Sequence, residues 1–160
     1  MDKGIGLLGP FVLFGFWAAL IYGLVRFIRW ILNLSRHSRF QVHDAPPDPT
    51  WNSRPNPGQI WWALVPFSDM PGGKVRPCLV VRTHRQSVEV LKITSQDKSH
   101  QINCVSIPTA RWDPRARKDS WLDLEDTYFI HDGDFRRRAG VCDDGTWSTV
   151  THLYWTGWVY

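Results

Sequence analysis

Between residues 59 and 107, hydrophobic and polar positions alternate over short runs interrupted by proline, glycine and polar clusters. QIWWALVP (59–66, opening after Pro-Gly), RPCLVVRT (76–83), SVEVLKITS (87–95) and QINCVSI (101–107, ended by Pro108) each fit a strand. His84-Arg85-Gln86 is short enough to join the second and third runs as a hairpin, and Pro77 falls in the first residues of its run, where a strand tolerates it. SWLDL and TYFI, within 120–130, supply one or two strands more. Residues 132–138 start acidic and end in Arg136, Arg137 and Arg138, the charge order of a short helix. Residues 143–160 are rich in Trp and Thr and receive no assignment. Short strands with turn signals about every 8–12 residues predict a mainly β protein, a small barrel.

The first third of the chain has a different pattern. Residues 4–25, GIGLLGPFVLFGFWAALIYGLV, contain no charge. As a helix they reach roughly 33 Å, enough for a bilayer core of about 30 Å, and membrane helices tolerate a kink such as Pro10 offers. The basic start and small-residue cleavage site of a signal peptide are missing, so a retained anchor is expected. Arg26, Arg29, Arg36 and Arg39 follow the run and Lys3 alone precedes it, which places the N-terminus outside and the rest in the cytoplasm, a single-pass protein of the cell membrane. Apolar residues between those arginines suit contact with anionic lipid. Gly15, Ala19 and Gly23 form a small-xxx-small face on which two helices can meet.

Residues 41–56 contain Pro46, Pro47, Pro49 and Pro55 and read as a linker, so a folded unit is expected from about residue 57 to 160. Charge within it is uneven. Residues 51–118 hold 11 Lys or Arg against 4 Asp or Glu, and residues 119–160 hold 3 against 8, which favours one basic face suited to a polyanion. Cys78, Cys104 and Cys142 are odd in number and widely spaced, a pattern unlike a zinc site or a disulfide framework and in keeping with a reducing compartment. The six histidines are scattered, and no metal or other cofactor is expected.

Two chemical groups stand at strand ends. Arg76 precedes Pro77 at the mouth of the glycine-containing loop 67–75, and the third run ends in Thr94 and Ser95. A guanidinium and hydroxyls on a rigid β scaffold suit a phosphate. Lys74, Lys92 and Lys98 are placed to touch neighbouring phosphates, and the loop, with Asp69, Gly72, Gly73 and Lys74, suits a lid. Trp61 and Trp62 offer stacking surfaces for unpaired bases, although adjacent strand residues face opposite ways and one of them belongs to the core.

GQIWWALVPF, a glycine-bearing loop, KVRPCLVV and VLKITS together resemble the MazF/PemK toxins of bacterial type II toxin–antitoxin modules, with KDSWLDLEDTYFI and DFRRRAG as weaker matches over residues 57 to about 150. The resemblance implies an SH3-like barrel that dimerises, cuts single-stranded RNA without a metal and is opposed by a cognate antitoxin. Carried onto this chain, the catalytic arginine falls on Arg76 and the catalytic hydroxyl on Thr94, with Ser95 beside it; Asp69, Lys74, Ser95 and Lys98 are expected at the RNA.

The chemistry agrees. RNA supplies its own nucleophile, the 2′-hydroxyl, so the protein need only align it and stabilise charge on phosphorus, as a bidentate guanidinium can while a threonine hydroxyl fixes geometry. Asp69 and His100 are the nearest general bases. The apolar anchor and the short aromatic C-terminus depart from the family pattern. The alternative is a non-catalytic SH3-like module binding peptide or nucleic acid at the membrane, since fold does not settle activity.

Overall fold

A computed structural model describes residues 20–25, 28, 41–67 and 70–160. Contacts divide the chain into Met1–Phe40 and Gln41–Tyr160. In the first unit, residues 20–25 are helical and exposed. The apolar run 4–25 lies mostly outside the described residues, as do Arg26, Arg29, Arg36 and Arg39 of the basic segment. Among the described residues, no helix is long and apolar enough to cross a membrane.

The second unit is a mainly antiparallel sheet with few helices. Its strands are β1 (Gln59–Pro66), β2 (Gly73–His84), β3 (Val88–Thr94), β4 (Cys104–Ile107), β5 (Ser120–Ile130), β6 (Phe135–Val141) and β7 (Gly157–Val159), with helix α1 (Asp144–Leu153) between the last two. The order across the sheet is β4-β5-β3-β2-β1-β6, and β7 joins β2 in parallel. β2 is the spine: β1 covers Gly73–Leu79, β3 covers Cys78–Thr83, and β7 takes Arg82–His84.

Alternation gives the sheet two apolar faces. Ile60, Leu79, Val81, Leu91, Ile93 and Leu122 point to one, where Val150 of α1, Trp112 and Tyr154 complete the core. Ala63, Val65, Cys78, Val80, Val88, Val90 and Ile130 point to the other, with Trp61, Tyr128 and Phe135 packed against them. β1 and β5 do not pair, yet they approach one another, so the sheet curls. Trp61 and Trp62 divide between the faces, and both are half-buried. Trp61 meets Phe135 edge-on at 5.9 Å, whereas the Arg137 guanidinium lies 5.2 Å from the Trp62 ring.

Several elements differ from their expected form. β2 begins at Gly73, not Arg76, because Gly73, Lys74 and Val75 pair with Pro66, Val65 and Leu64. A side chain at 73 would press on the Val65 carbonyl at 2.8 Å, so the close approach requires glycine. Residues 101–103 form a turn, leaving only Cys104–Ile107 as strand. The short helix expected over 132–138 is a 3-10 turn, Asp132–Asp134, followed by β6. The three arginines therefore lie on an edge strand beside β1, where ladder bonds replace those of a helix. SWLDL and TYFI are one strand broken by a bulge: between Leu91 and Ile93, two steps on β3 answer five on β5, from Leu122 to Thr127. In the unassigned tail, Asp143 caps α1 by accepting from the Thr146 backbone N–H at 2.9 Å.

Residues 41–56, read as linker, pack within the second unit. His43 exchanges backbone bonds with Trp158 and stacks on Tyr160 at 4.2 Å. Trp51 is buried in a 3-10 turn, Pro49–Ser53, and Arg54 lies over its ring while pairing with Asp132 at 2.7 Å. Prolines here set turn geometry without breaking contact, because two aromatic rings give the segment something to bury.

At the far end of β2, Arg82 and Glu89 form a buried bidentate pair, both bonds 2.6 Å. Arg82 also donates to the Trp155 carbonyl at 2.6 Å, and His84 Nε2 lies 3.2 Å from Glu89. Burial alone would raise the Glu89 carboxyl; the hydrogen bonds from His84 and Arg82, the Arg82 charge and Thr127 overcome it and hold it down at about 2.

A candidate phosphate-binding face at the open end of the sheet

Arg76 is the fourth residue of β2, opposite Ala63 of β1. It is half-buried. Alternation places Arg76 on the face of Cys78 and Val80, at the border of the second apolar cluster. Pro77, next to it, precedes the point where β3 joins at Cys78, so its missing N–H falls where the strand has a single neighbour.

Thr94 ends β3 on the same face. The register pairs Cys78 with Lys92, and two residues further in each strand stand Arg76 and Thr94. β3 has by then turned to β5, where Thr94 pairs with Trp121. The Thr94 Oγ1 accepts from the Gln96 backbone N–H at 3.2 Å, which orients the hydroxyl and leaves its own hydrogen to donate. The Arg76 Nε–H is buried with no hydrogen-bond partner, the only such donor on a cation among the described residues. A guanidinium N–H withdrawn from water without an acceptor carries a desolvation cost that an anion would remove.

The other expected residues are distributed unequally. Lys74 is exposed and, two residues before Arg76, shares its face. Ser95 and His100 are exposed beyond the end of β3. Lys98 is half-buried in the loop before β4, and its charge, with that of Lys92, opposes the upward push that burial gives the Cys104 thiol. Asp69 lies outside the described residues. Of the segment 67–75 expected as a lid, residues 73–75 are strand paired with β1, and the Phe67 N–H donates to the Gly72 carbonyl at 3.0 Å. Among the described residues, no group of three His, Cys, Asp or Glu side chains is placed to hold a metal ion.

Sequence reasoning missed the β5 side of this face. Trp121 lies directly across the ladder from Thr94, half-buried. Asp123 and Tyr128 flank the bulge and reach the Lys92 Nζ at 3.2 and 3.3 Å. Lys92 was readable, since period-two alternation from Thr94 puts it on the same face. The β5 residues were not, because the bulge shifts their register by an amount no local pattern declares.

The pattern of PemK-like, MazF-like toxins of type II toxin–antitoxin systems matches residues 56–152. No curated protein matches the chain. The match spans β1 through nearly all of α1 and takes in Arg76, Thr94 and the bulge. Toxins of this family are RNA endonucleases, bind RNA and an antitoxin, and are typically dimers. The match covers more than half of the chain, which belongs to the family of PemK-like, MazF-like toxins of type II toxin–antitoxin systems.

Proposed function

We propose that the chain is an endoribonuclease that cuts single-stranded RNA by attack of the 2′-hydroxyl on the adjacent phosphorus, without a metal, on an SH3-like barrel. Arg76 holds the phosphoryl oxygens as negative charge grows on them, and Thr94 donates to the same phosphate and fixes the in-line approach. The products are a 2′,3′-cyclic phosphate and a 5′-hydroxyl. The observation that carries this reading is the buried, unpartnered Nε–H of Arg76 on the face it shares with Thr94. Lys74, Ser95, Lys98 and Asp69 serve the flanking RNA. A homodimer and a cognate antitoxin covering the basic face complete the assignment.

The test is incubation of the full chain with mixed single-stranded RNA in EDTA. Discrete cuts ending in cyclic phosphate are expected, as is their absence from RNA with 2′-deoxy residues at the cut positions. Cutting of the deoxy substrate, or a requirement for added divalent ion, would overturn the mechanism.

Residues 4–25 extend the proposal to a tether that holds this ribonuclease at the cytoplasmic face of the cell membrane, in contact with anionic lipid. Its support is the uncharged run and the arginines after it. The full chain is expected in the membrane fraction after alkaline carbonate washing; release into the wash would exclude a spanning anchor.

A further inference from the structure

The face that carries Arg76, Thr94 and Lys74 also holds Lys92. Lys92 is opposite Cys78 on β3, two residues from Thr94 and on the same side of the sheet. Its Cα is therefore the diagonal neighbour of Arg76, a spacing of about 7–8 Å that long side chains bridge. The two carboxylate- and hydroxyl-bearing neighbours leave it partly engaged. Nζ meets Asp123 Oδ2 at 3.2 Å and Tyr128 Oη at 3.3 Å, and lies 5.4 Å from the Tyr128 ring centre. An ammonium has three donors, so one N–H is uncommitted among the described residues.

The bulge in β5 makes this arrangement possible. It adds three residues between the two stretches that pair with β3, since five steps on β5 answer two on β3. Asp123 and Tyr128 thereby approach Lys92 from the two ends of the bulge. Asn103 donates to Glu125 at 2.5 Å, the Leu124 N–H donates to the Asn103 carbonyl at 2.8 Å and the Tyr154 hydroxyl donates to the Leu124 carbonyl, so the bulge is anchored from outside the sheet. Burial would lower the Lys92 ammonium, but Tyr128 and Asp123 more than offset it, so it stays charged.

From this juxtaposition we infer that Lys92 is a further catalytic residue, its free N–H donating to the scissile phosphate held by Arg76 and Thr94, with Asp123 and Tyr128 as positioning residues that aim it. The inference rests on the ribonuclease reading and deepens it. Two cations share the charge that develops on the phosphoryl oxygens, and no proton transfer is assigned to Lys92. Lys92 is thus bound to the phosphate being cut, in contrast to Lys74 and Lys98, which lie toward flanking ones.

The experiment compares the full chain with Lys92→Met, Lys92→Arg and Asp123→Asn. Two readouts are taken: single-turnover cleavage of a single-stranded RNA that the wild type cuts, and salt-dependent binding of the same RNA made uncleavable by a 2′-deoxy residue. Lys92→Met should slow cleavage about 10- to 100-fold, the range for losing a charged hydrogen bond. It should also flatten the slope of log affinity against log salt by about 0.7, one phosphate contact on a single strand. Lys92→Arg should keep the wild-type slope and recover most of the rate, and Asp123→Asn should slow cleavage while keeping the slope.

A Lys92→Met chain with wild-type rate and slope would overturn the inference and leave the ribonuclease reading standing. So would a slowed Lys92→Met chain whose slope is unchanged, since that is the mark of a packing role. Should Lys92→Met fail to fold, Lys92→Arg and Asp123→Asn decide: equal rates in both and the wild type overturn the inference. A wild-type chain that binds RNA but never cuts it overturns the ribonuclease reading and this inference together.

Discussion

Arg76→Ala is expected to lose about 10²- to 10³-fold in single-turnover RNA cleavage, the usual effect of removing one donor that meets charge developing in a transition state. Its thermal melt should change little, because the side chain removed is half-buried and its Nε–H makes no hydrogen bond that the fold would forfeit. Arg76→Lys should recover only a small part of the rate. Lysine keeps the charge but offers a point cation where a planar fork gives two parallel bonds to one phosphate. Affinity for uncleavable RNA should fall far less than the rate. A variant that binds RNA poorly but cuts normally at saturation would reassign Arg76 to ground-state binding.

Arg82→Met should have the largest effect on stability, about 3–5 kcal/mol, because it strands the Glu89 carboxylate in the interior. His84 remains within 3.2 Å of Glu89 but cannot replace two 2.6 Å bonds. Exchanging both members, Arg82→Met with Glu89→Met, should restore most of the loss, as apolar replacement of a complete buried pair often does. Urea denaturation of the single and double variants measures this directly; a double variant no more stable than Arg82→Met would refute a desolvation cause. The pH dependence has a definite sign. The Glu89 carboxyl is held at about 2, below its ordinary 4.5, so its contribution is present above pH 4.5 and is lost as pH falls through 2. Wild-type stability should decline across that window, and Glu89→Gln should decline less.

The two arginines illustrate what the sequence disclosed. Arg-Pro at the head of one apolar run and a hydroxyl at the end of another single out Arg76 and Thr94, and strand alternation sets both on one face. β1 has its expected bounds, residues 59–66, since Pro-Gly before it and alternation within it leave no other register. Arg82 and Glu89 gave no such sign. Their pairing depends on a bulge between Val80 and Arg82 that brings Glu89 opposite. β6 resembles a helix in sequence because acidic-then-basic order satisfies a helix dipole, while the reason for a strand, the open edge of β1, is more than seventy residues away, Ala63 pairing with Phe135 and Gln59 with Val141. The packing of residues 41–56 was equally hidden: its partners, Trp158, Tyr160 and Asp132, come from the other end of the chain.

The bridge between His43 and Trp158 has a mechanical meaning. It fastens the entry of the second unit to β7, and β7 is laid along Arg82–His84, the C-terminal end of β2. Arg76 lies eight residues back along the same strand, about 26 Å at 3.3 Å per residue. Force applied through residue 41 is therefore taken first by the β7 ladder and the Arg82–Glu89 pair, and reaches the Arg76 end of the strand last. Pulling on the chain would open the structure from the opposite pole, leaving the Arg76 end of β2 the last part to lose its shape.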